Sequence, residues 1–317
     1  MAKLYFSNDK LVAIIVLLSL LFIGFGCAGP EAKTNAAVDA LQVPQEQTDT
    51  AGFDQGMLWQ VKKANHAPSY VFGTIHSEDA RVTELAEAVV SAFKQANVFA
   101  MEVLLNEQSG QDATAAMFFT DDRNLESVAG KVLYQRSVTA LASQGISQDQ
   151  VFHMKPWAVF TLLSMPKPKT GLFLDVMLLK SAKRLDMKVM GLESMKEQIA
   201  VFDKMSEAFQ LVLLKDTLDN YTNMGDLFEK MISLYLKGDL KEIMQLNSNY
   251  MALTDDEVAA DFEQRLITDR NHRMVQRILP LIDKDSTFVA VGALHLPGQH
   301  GILNLLQKQG YELKALH

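Results

Sequence analysis

What most limits the fold of this chain is a repeated change of hydrophobic period. Short runs of β-branched and aromatic residues, as in strands buried on both faces, alternate with segments whose apolar residues return every three to four positions. "MLWQVKK" (57–63) and "SYVFGTIH" (69–76), separated by a turn-prone stretch, read as a hairpin. Val82, Leu85, Ala86, Val89, Val90 and Phe93 then mark one face of a helix over 79–96, and "NVFAMEV" (97–103) returns to strand. Strand, helix, strand with a short return is a βαβ unit. The pattern recurs as the helix "GLFLDVMLLKSAKRLD" (171–186) before the strand "KVMGLES" (188–194). It closes with a helical region from Asp255 to about Leu281, the strand "TFVAVGALH" (287–295), the helix "GILNLLQKQG" (301–310) and the strand "YELKAL" (311–316). The expected fold class is α/β, a mixed central β-sheet flanked by helices.

Between about 196 and 255 the chain is helical and rich in Met and Leu, which marks a helical insertion or cap. Its methionines fall at helical spacing among Leu and Phe and read as core filler rather than metal ligands. With 317 residues, 48% of them hydrophobic, there is chain enough for one large core, here assigned to residues 53–317. The formal charge of -8, without a block of lysines or arginines, argues against nucleic acid as a partner.

The first residues read as an export signal: Lys3 and Lys10 precede the apolar run "LVAIIVLLSLLFIGFG", which ends at Cys27. Cys27 is the one cysteine of the chain, so no intramolecular disulfide can form. Its place resembles a lipobox, in which the cysteine becomes the lipidated first residue. Gly24 and Phe25 depart from that pattern, and the same "GFG" also suits ordinary signal peptidase. The reading is a signal peptide over 1–27 with a lipobox, a flexible small and polar tether over 28–52, and an exported bacterial lipoprotein of the outer membrane facing the periplasm.

Four expected strands end in a side chain able to hold a metal: His76 after "SYVFGTI", Glu102 after "NVFAM", Glu193 after "KVMGL" and His295 after "TFVAVGAL". In sheets of mainly parallel strands, ligands gather beyond the carboxyl ends. Two imidazoles and two carboxylates suit Zn, Mn, Co or Fe(II) better than Ca or Mg. Taken singly, each histidine is more often a turn residue with a backbone hydrogen bond. Four together point to one cause, because a glutamate among apolar neighbours needs a partner. Both histidines follow a glycine by three positions, in "GTIH" and "GALH", and glycine within a strand often marks close approach of another backbone or a ligand.

Arg270 lies on the apolar stripe of Phe262, Leu266, Met274 and Ile278 and therefore needs an anion. That anion is either a structural carboxylate or the negative charge of a transition state. His66, His153, His272, His300 and His317 lack such settings. No HExxH or GxSxG motif is present, which excludes a thermolysin-like zinc site and a nucleophile elbow.

"VFGTIHSE", "FAMEV", "KPWAV", "VMGLESMKEQIAVFD", "DRNHRMVQRI" and "FVAVGALHLPGQHGILNLLQKQGYEL" together resemble the TraB/GumN family, related to the Tiki metalloproteases and more distantly grouped with erythromycin esterases and haem-binding ChaN lipoproteins. The resemblance runs from Leu58 to Leu316. It implies paired GxxH motifs at Gly73–His76 and Gly292–His295, glutamates at Glu102 and Glu193, and an Arg-Asn pair at Arg270 and Asn271. It also implies metal-dependent hydrolysis of a peptide or small-molecule substrate. The expectation is a divalent ion (Mn, Co or Zn) held by His76, Glu102, Glu193 and His295, with Glu102 as general base and Arg270 on the oxyanion. The rival expectation is a non-catalytic haem- or metal-binding lipoprotein.

Overall fold

The computed structural model describes residues 52–64, 66–104, 107–166, 168–251 and 256–317. The expected signal, tether and Cys27 therefore lie outside the described residues, apart from Gly52. Six strands form one mixed sheet: β1 (Leu58–Lys62), β2 (Ser69–Thr74), β3 (Val98–Val103), β4 (Lys188–Glu193), β5 (Thr287–Gly292) and β6 (Glu312–Ala315). Their order is β4-β3-β5-β2-β1-β6. β2, β5, β3 and β4 run parallel, whereas β1 pairs antiparallel with both β2 and β6.

Every residue of β2, β3 and β5 is buried, which is why these strands read as continuous apolar runs. The edge strands β4 and β6 carry the exposed Lys188, Glu312 and Lys314, charges that discourage pairing with another sheet. Phe72, Phe93, Phe99 and Phe288 pack ring against ring where helix Glu87–Gln95 lies on the sheet.

The structure refines the expected elements in three places. β2 and β3 are joined through helix Glu87–Gln95 but are not neighbours, because β5 fills the place between them. The expected helix over 79–96 is two pieces: the Glu84 N–H bonds back to the Ala80 carbonyl and closes a single turn, and the chain starts again at Glu87. The last strand stops at Gly292, and Ala293–His295 form a 3-10 turn closed by the Leu296 N–H on the Ala293 carbonyl, 3.1 Å.

Helices Met195–Asp203, Glu207–Asn220, Met224–Leu236 and Leu240–Met251 occupy the Met- and Leu-rich stretch. A second helical group, Glu107–Ala116, Leu125–Ala142, Gln148–His153 and Pro156–Leu163, precedes them, and Pro156–Leu163 packs against Glu207–Asn220. Asp269–Ile282 crosses the sheet near β3, β4 and β5. It is preceded by a π-helical turn over Gln264–Thr268, an arrangement frequent at functional sites.

Candidate active site

The strand order converts the sequence order 76, 102, 193, 295 into a different order along the carboxyl edge: Glu193, Glu102, His295, His76. Glu102 sits on the middle strand β3, with Glu193 closing β4 on one side and the turn after β5 on the other. All four side chains are buried. The registered pairing of β3 with β5 runs to Met101 and Ala290; past it, the Gly292 N–H donates to Glu102 Oε1 at 2.7 Å, so a carboxylate takes a donor beyond the end of the ladder. On β2, a Cβ at Gly73 would stand 2.8 Å from Leu296 Cδ1 and 3.2 Å from Ala293 Cα, so that strand packs closely on the turn after β5.

Helix Asp269–Ile282 supplies the cations. Arg270, 2% exposed, donates through Nε to Glu193 Oε2 at 2.8 Å and through Nη2 to Glu102 Oε2 at 2.5 Å. Arg273 covers the other oxygen of Glu193, at 3.1 Å from Nε and 2.5 Å from Nη2. Arg277, on the same face at i+7, donates to the Leu192 carbonyl and to both oxygens of Glu197. The anion that Arg270 needs is thus a pair of carboxylates. Both oxygens of Glu193 face guanidinium groups, so the structure places it as the anchor of Arg270 and Arg273. Gln198 donates to Glu102 Oε2 at 3.2 Å, bridging towards Glu193.

Burial pushes the Glu102 carboxyl up to about 7, with the charges of Glu193 and Asp175 adding to the rise while Arg270 and the Gly292 N–H oppose it. Arg270 is held above its ordinary value: burial works against its charge, but Glu102 and Glu193 outweigh it. Burial and the Arg270 charge hold His295 well below the ordinary histidine range, so its ring is neutral.

The tautomer of His295 follows from its partner. Asn271 Nδ2 donates to the His300 carbonyl at 2.8 Å, which turns Asn271 Oδ1 towards His295 Nδ1 at 2.6 Å. An amide oxygen can only accept, so Nδ1 carries the hydrogen and the Nε2 lone pair is bare. His76 Nδ1 lies 3.5 Å from Asp175 Oδ2, while Thr74 Oγ1 donates to Asp175 Oδ1 at 2.7 Å. Asp175 thus stands on the Nδ1 side of the His76 ring, at ion-pair distance. Phe173 stacks on the His76 ring at 3.8 Å between centroids. Among the described residues neither Nε2 has a hydrogen-bond partner, although both are buried. His295 Nε2 is 3.8 Å from Glu102 Oε1.

A neutral imidazole whose far nitrogen is fixed by an amide, as in His295, is the usual arrangement of a metal-ligating histidine. The two unpartnered Nε2 atoms, with Glu102 Oε1 3.8 Å from that of His295, are donors of the kind that divalent ions of the Mn, Co or Zn type take. Among the described residues no three His, Cys, Asp or Glu side chains stand together as a preformed metal cage, in keeping with the turn of Glu193 towards arginine.

A sequence model described as the TraB/PrgY/gumN family matches residues 57–315. The chain belongs to this family. Among curated proteins, this TraB/PrgY/gumN chain is similar to metalloprotease TIKI2 of Danio rerio, at 26% identity over 90% of the chain and 65% of the relative. It is similar to metalloprotease TIKI2 of Xenopus tropicalis, at 26% over 86% and 61%, and to metalloprotease TIKI1 of Homo sapiens, at 24% over 81% and 61%. The chain therefore spans a little under two thirds of the length of these relatives. No solved structure matches significantly.

Asp175, Gln198 and Arg273 were not singled out by the sequence. Arg273 had a signal, since it shares the inward face with Arg270 at i+3. Asp175 had none, because an acidic residue in the first turn of a helix is ordinary.

Proposed function

We propose that this chain is a metal-dependent hydrolase of peptidase type. The observation that carries the reading is the pair of buried imidazole Nε2 atoms, one in each GxxH motif, neither satisfied among the described residues, with Asn271 on Nδ1 of His295 and Asp175 near Nδ1 of His76. The relatives named metalloproteases support it. His76 and His295 hold the ion, which when bound supplies Lewis acidity and a water of lowered pKa. Glu102, near half-ionised at neutral pH, takes a proton on Oε1 and returns it to the leaving group. Arg270 fixes Oε2 of the same carboxylate. Proton uptake by Glu102 loosens its hold on Arg270 Nη2 and frees a donor for the negative charge developing on the substrate oxygen. Glu193, tied to Arg270 and Arg273, holds that guanidinium in place.

In the same reading the protein is exported and tethered to the outer membrane through Cys27, so Cys27→Ser moves it to the soluble periplasmic fraction. A binding-only lipoprotein for haem or metal is the second reading, favoured by the saturation of both carboxylates with donors. Screening the full-length chain against peptide and ester libraries with added Mn, Co or Zn separates the two. The hydrolase reading expects turnover that Glu102→Gln lowers by about 10²- to 10⁴-fold, with a smaller loss of metal binding. No turnover with any metal, together with tight stoichiometric haem binding, overturns it.

A further inference from the structure

A carboxylate beside the first GxxH motif is used in a way the proposed chemistry does not explain. Glu78 pairs with three consecutive backbone N–H groups of the segment that leads into helix Leu174–Arg184. Its Oε2 accepts from Lys169 at 2.8 Å and from Thr170 at 3.1 Å, and its Oε1 accepts from Gly171 at 2.5 Å. Gly171 takes φ +73°, a left-handed conformation that turns successive N–H groups inward as an anion nest. The Leu174 N–H adds a bond to the Ser77 carbonyl at 3.1 Å. The 76–79 loop and the 169–174 segment are thereby sewn together, although they lie about ninety positions apart in the chain.

What this segment carries is the support of His76: Phe173, stacked on the ring, and Asp175, against Nδ1. We propose that Glu78 is a positioning residue, holding the 169–175 segment so that Phe173 and Asp175 set the plane and position of the His76 ring. His295 owes its orientation to Asn271, on a different helix. Loss of Glu78 therefore disturbs one imidazole and spares the other, a discrimination that general destabilisation does not produce. The role in metal binding rests on the proposed function; the effect on His76 does not.

The test uses the full-length chain, metal-free, as wild type, Glu78→Ala and Glu78→Gln. Hydrogen exchange followed by mass spectrometry reads the peptide covering 168–174, and labelling by diethyl pyrocarbonate reads His76 and His295 separately. Glu78→Ala should speed exchange of the 169–171 amides about tenfold or more, since charge-assisted bonds are among the strong ones. It should also raise the labelling rate of His76 while leaving His295 unchanged. Glu78→Gln keeps an acceptor and should fall between; it also serves if Glu78→Ala does not fold. Titration with cobalt(II) alone should then show affinity about tenfold weaker in Glu78→Ala. Unchanged exchange, faster exchange without any change at His76, or equal changes at both histidines would overturn the proposal. If wild type takes up no cobalt, the hydrolase reading fails, and exchange and labelling still decide the role of Glu78.

Discussion

Replacing Arg270 by methionine removes a guanidinium that is 2% exposed and bonded to two carboxylates. The two are not left equally exposed to the loss. Glu193 keeps Arg273 on its other oxygen, at 2.5 Å, whereas Glu102 keeps, among the described residues, the Gly292 N–H and the Gln198 amide and no cation. The penalty therefore falls on Glu102. Breaking a buried pair by deleting one partner costs about 3–5 kcal/mol, a large part of the roughly 5–15 kcal/mol that holds a domain folded. Glu102→Gln in the same chain removes the stranded charge, so Arg270→Met with Glu102→Gln should recover most of the deficit. The pH dependence gives a second handle. Without Arg270 the Glu102 pKa rises further, and a carboxyl whose folded pKa exceeds its unfolded one loses stability as pH rises through the folded value. The deficit of Arg270→Met should thus be largest near pH 8 and shrink towards pH 4.5. Urea unfolding of the metal-free proteins across that range measures both effects. A deficit below about 1 kcal/mol at pH 8, or a double variant as unstable as the two single losses added together, would refute the reasoning.

Metal-free wild type, compared with Glu102→Gln, should lose about 3 kcal/mol of stability as pH rises from 4.5 through 7, the interval over which Glu102 ionises unfolded but not folded. His295 acts with the opposite sign, its contribution being present above 6.5 and lost as pH falls, but it is common to both proteins; a flat difference curve counts against the Glu102 assignment. Asn271→Leu strips the acceptor from His295 Nδ1 and should weaken cobalt(II) binding by about 10- to 100-fold in a titration, and unaltered affinity would contradict the tautomer assigned to His295. Gly73→Ala should cost about 1–3 kcal/mol in chemical denaturation, because its Cβ would meet Leu296 Cδ1 at 2.8 Å and Ala293 Cα at 3.2 Å; a neutral result would mean that β2 and the 293–295 turn are not so closely packed.

The fold was legible wherever one element buries itself by a simple period. The uniformly apolar β2, β3 and β5, the amphipathic Glu87–Gln95 and the hairpin of β1 with β2 all follow from local pattern. The insertion of β5 between β2 and β3 was not, since neighbour order in a sheet depends on long-range pairing that no local window encodes. The site divided in the same way. Glu102, Arg270, His76 and His295 showed themselves because charged or polar side chains in apolar surroundings demand partners. The identity of those partners did not show. That Glu193 turns to two arginines, and that Asp175 comes a hundred residues along the chain to His76, are facts of tertiary packing. The helical group over 107–163 left no periodic trace strong enough to read; the kink at Gly130, with φ +76° inside Leu125–Ala142, interrupts one of its helices.

Metal stoichiometry of the purified full-length chain with His76→Ala and His295→Ala tests the central claim most directly. Each substitution removes one of the two buried Nε2 atoms without a partner among the described residues, from a turn whose neighbouring strand still packs. Elemental analysis after equilibration with Mn, Co or Zn should show close to one ion bound in wild type and a marked loss in each variant, with unfolding transitions little changed. Full occupancy retained in both variants, or no ion bound by wild type under any of the three metals, would contradict the assignment of the paired GxxH histidines as the heart of the site.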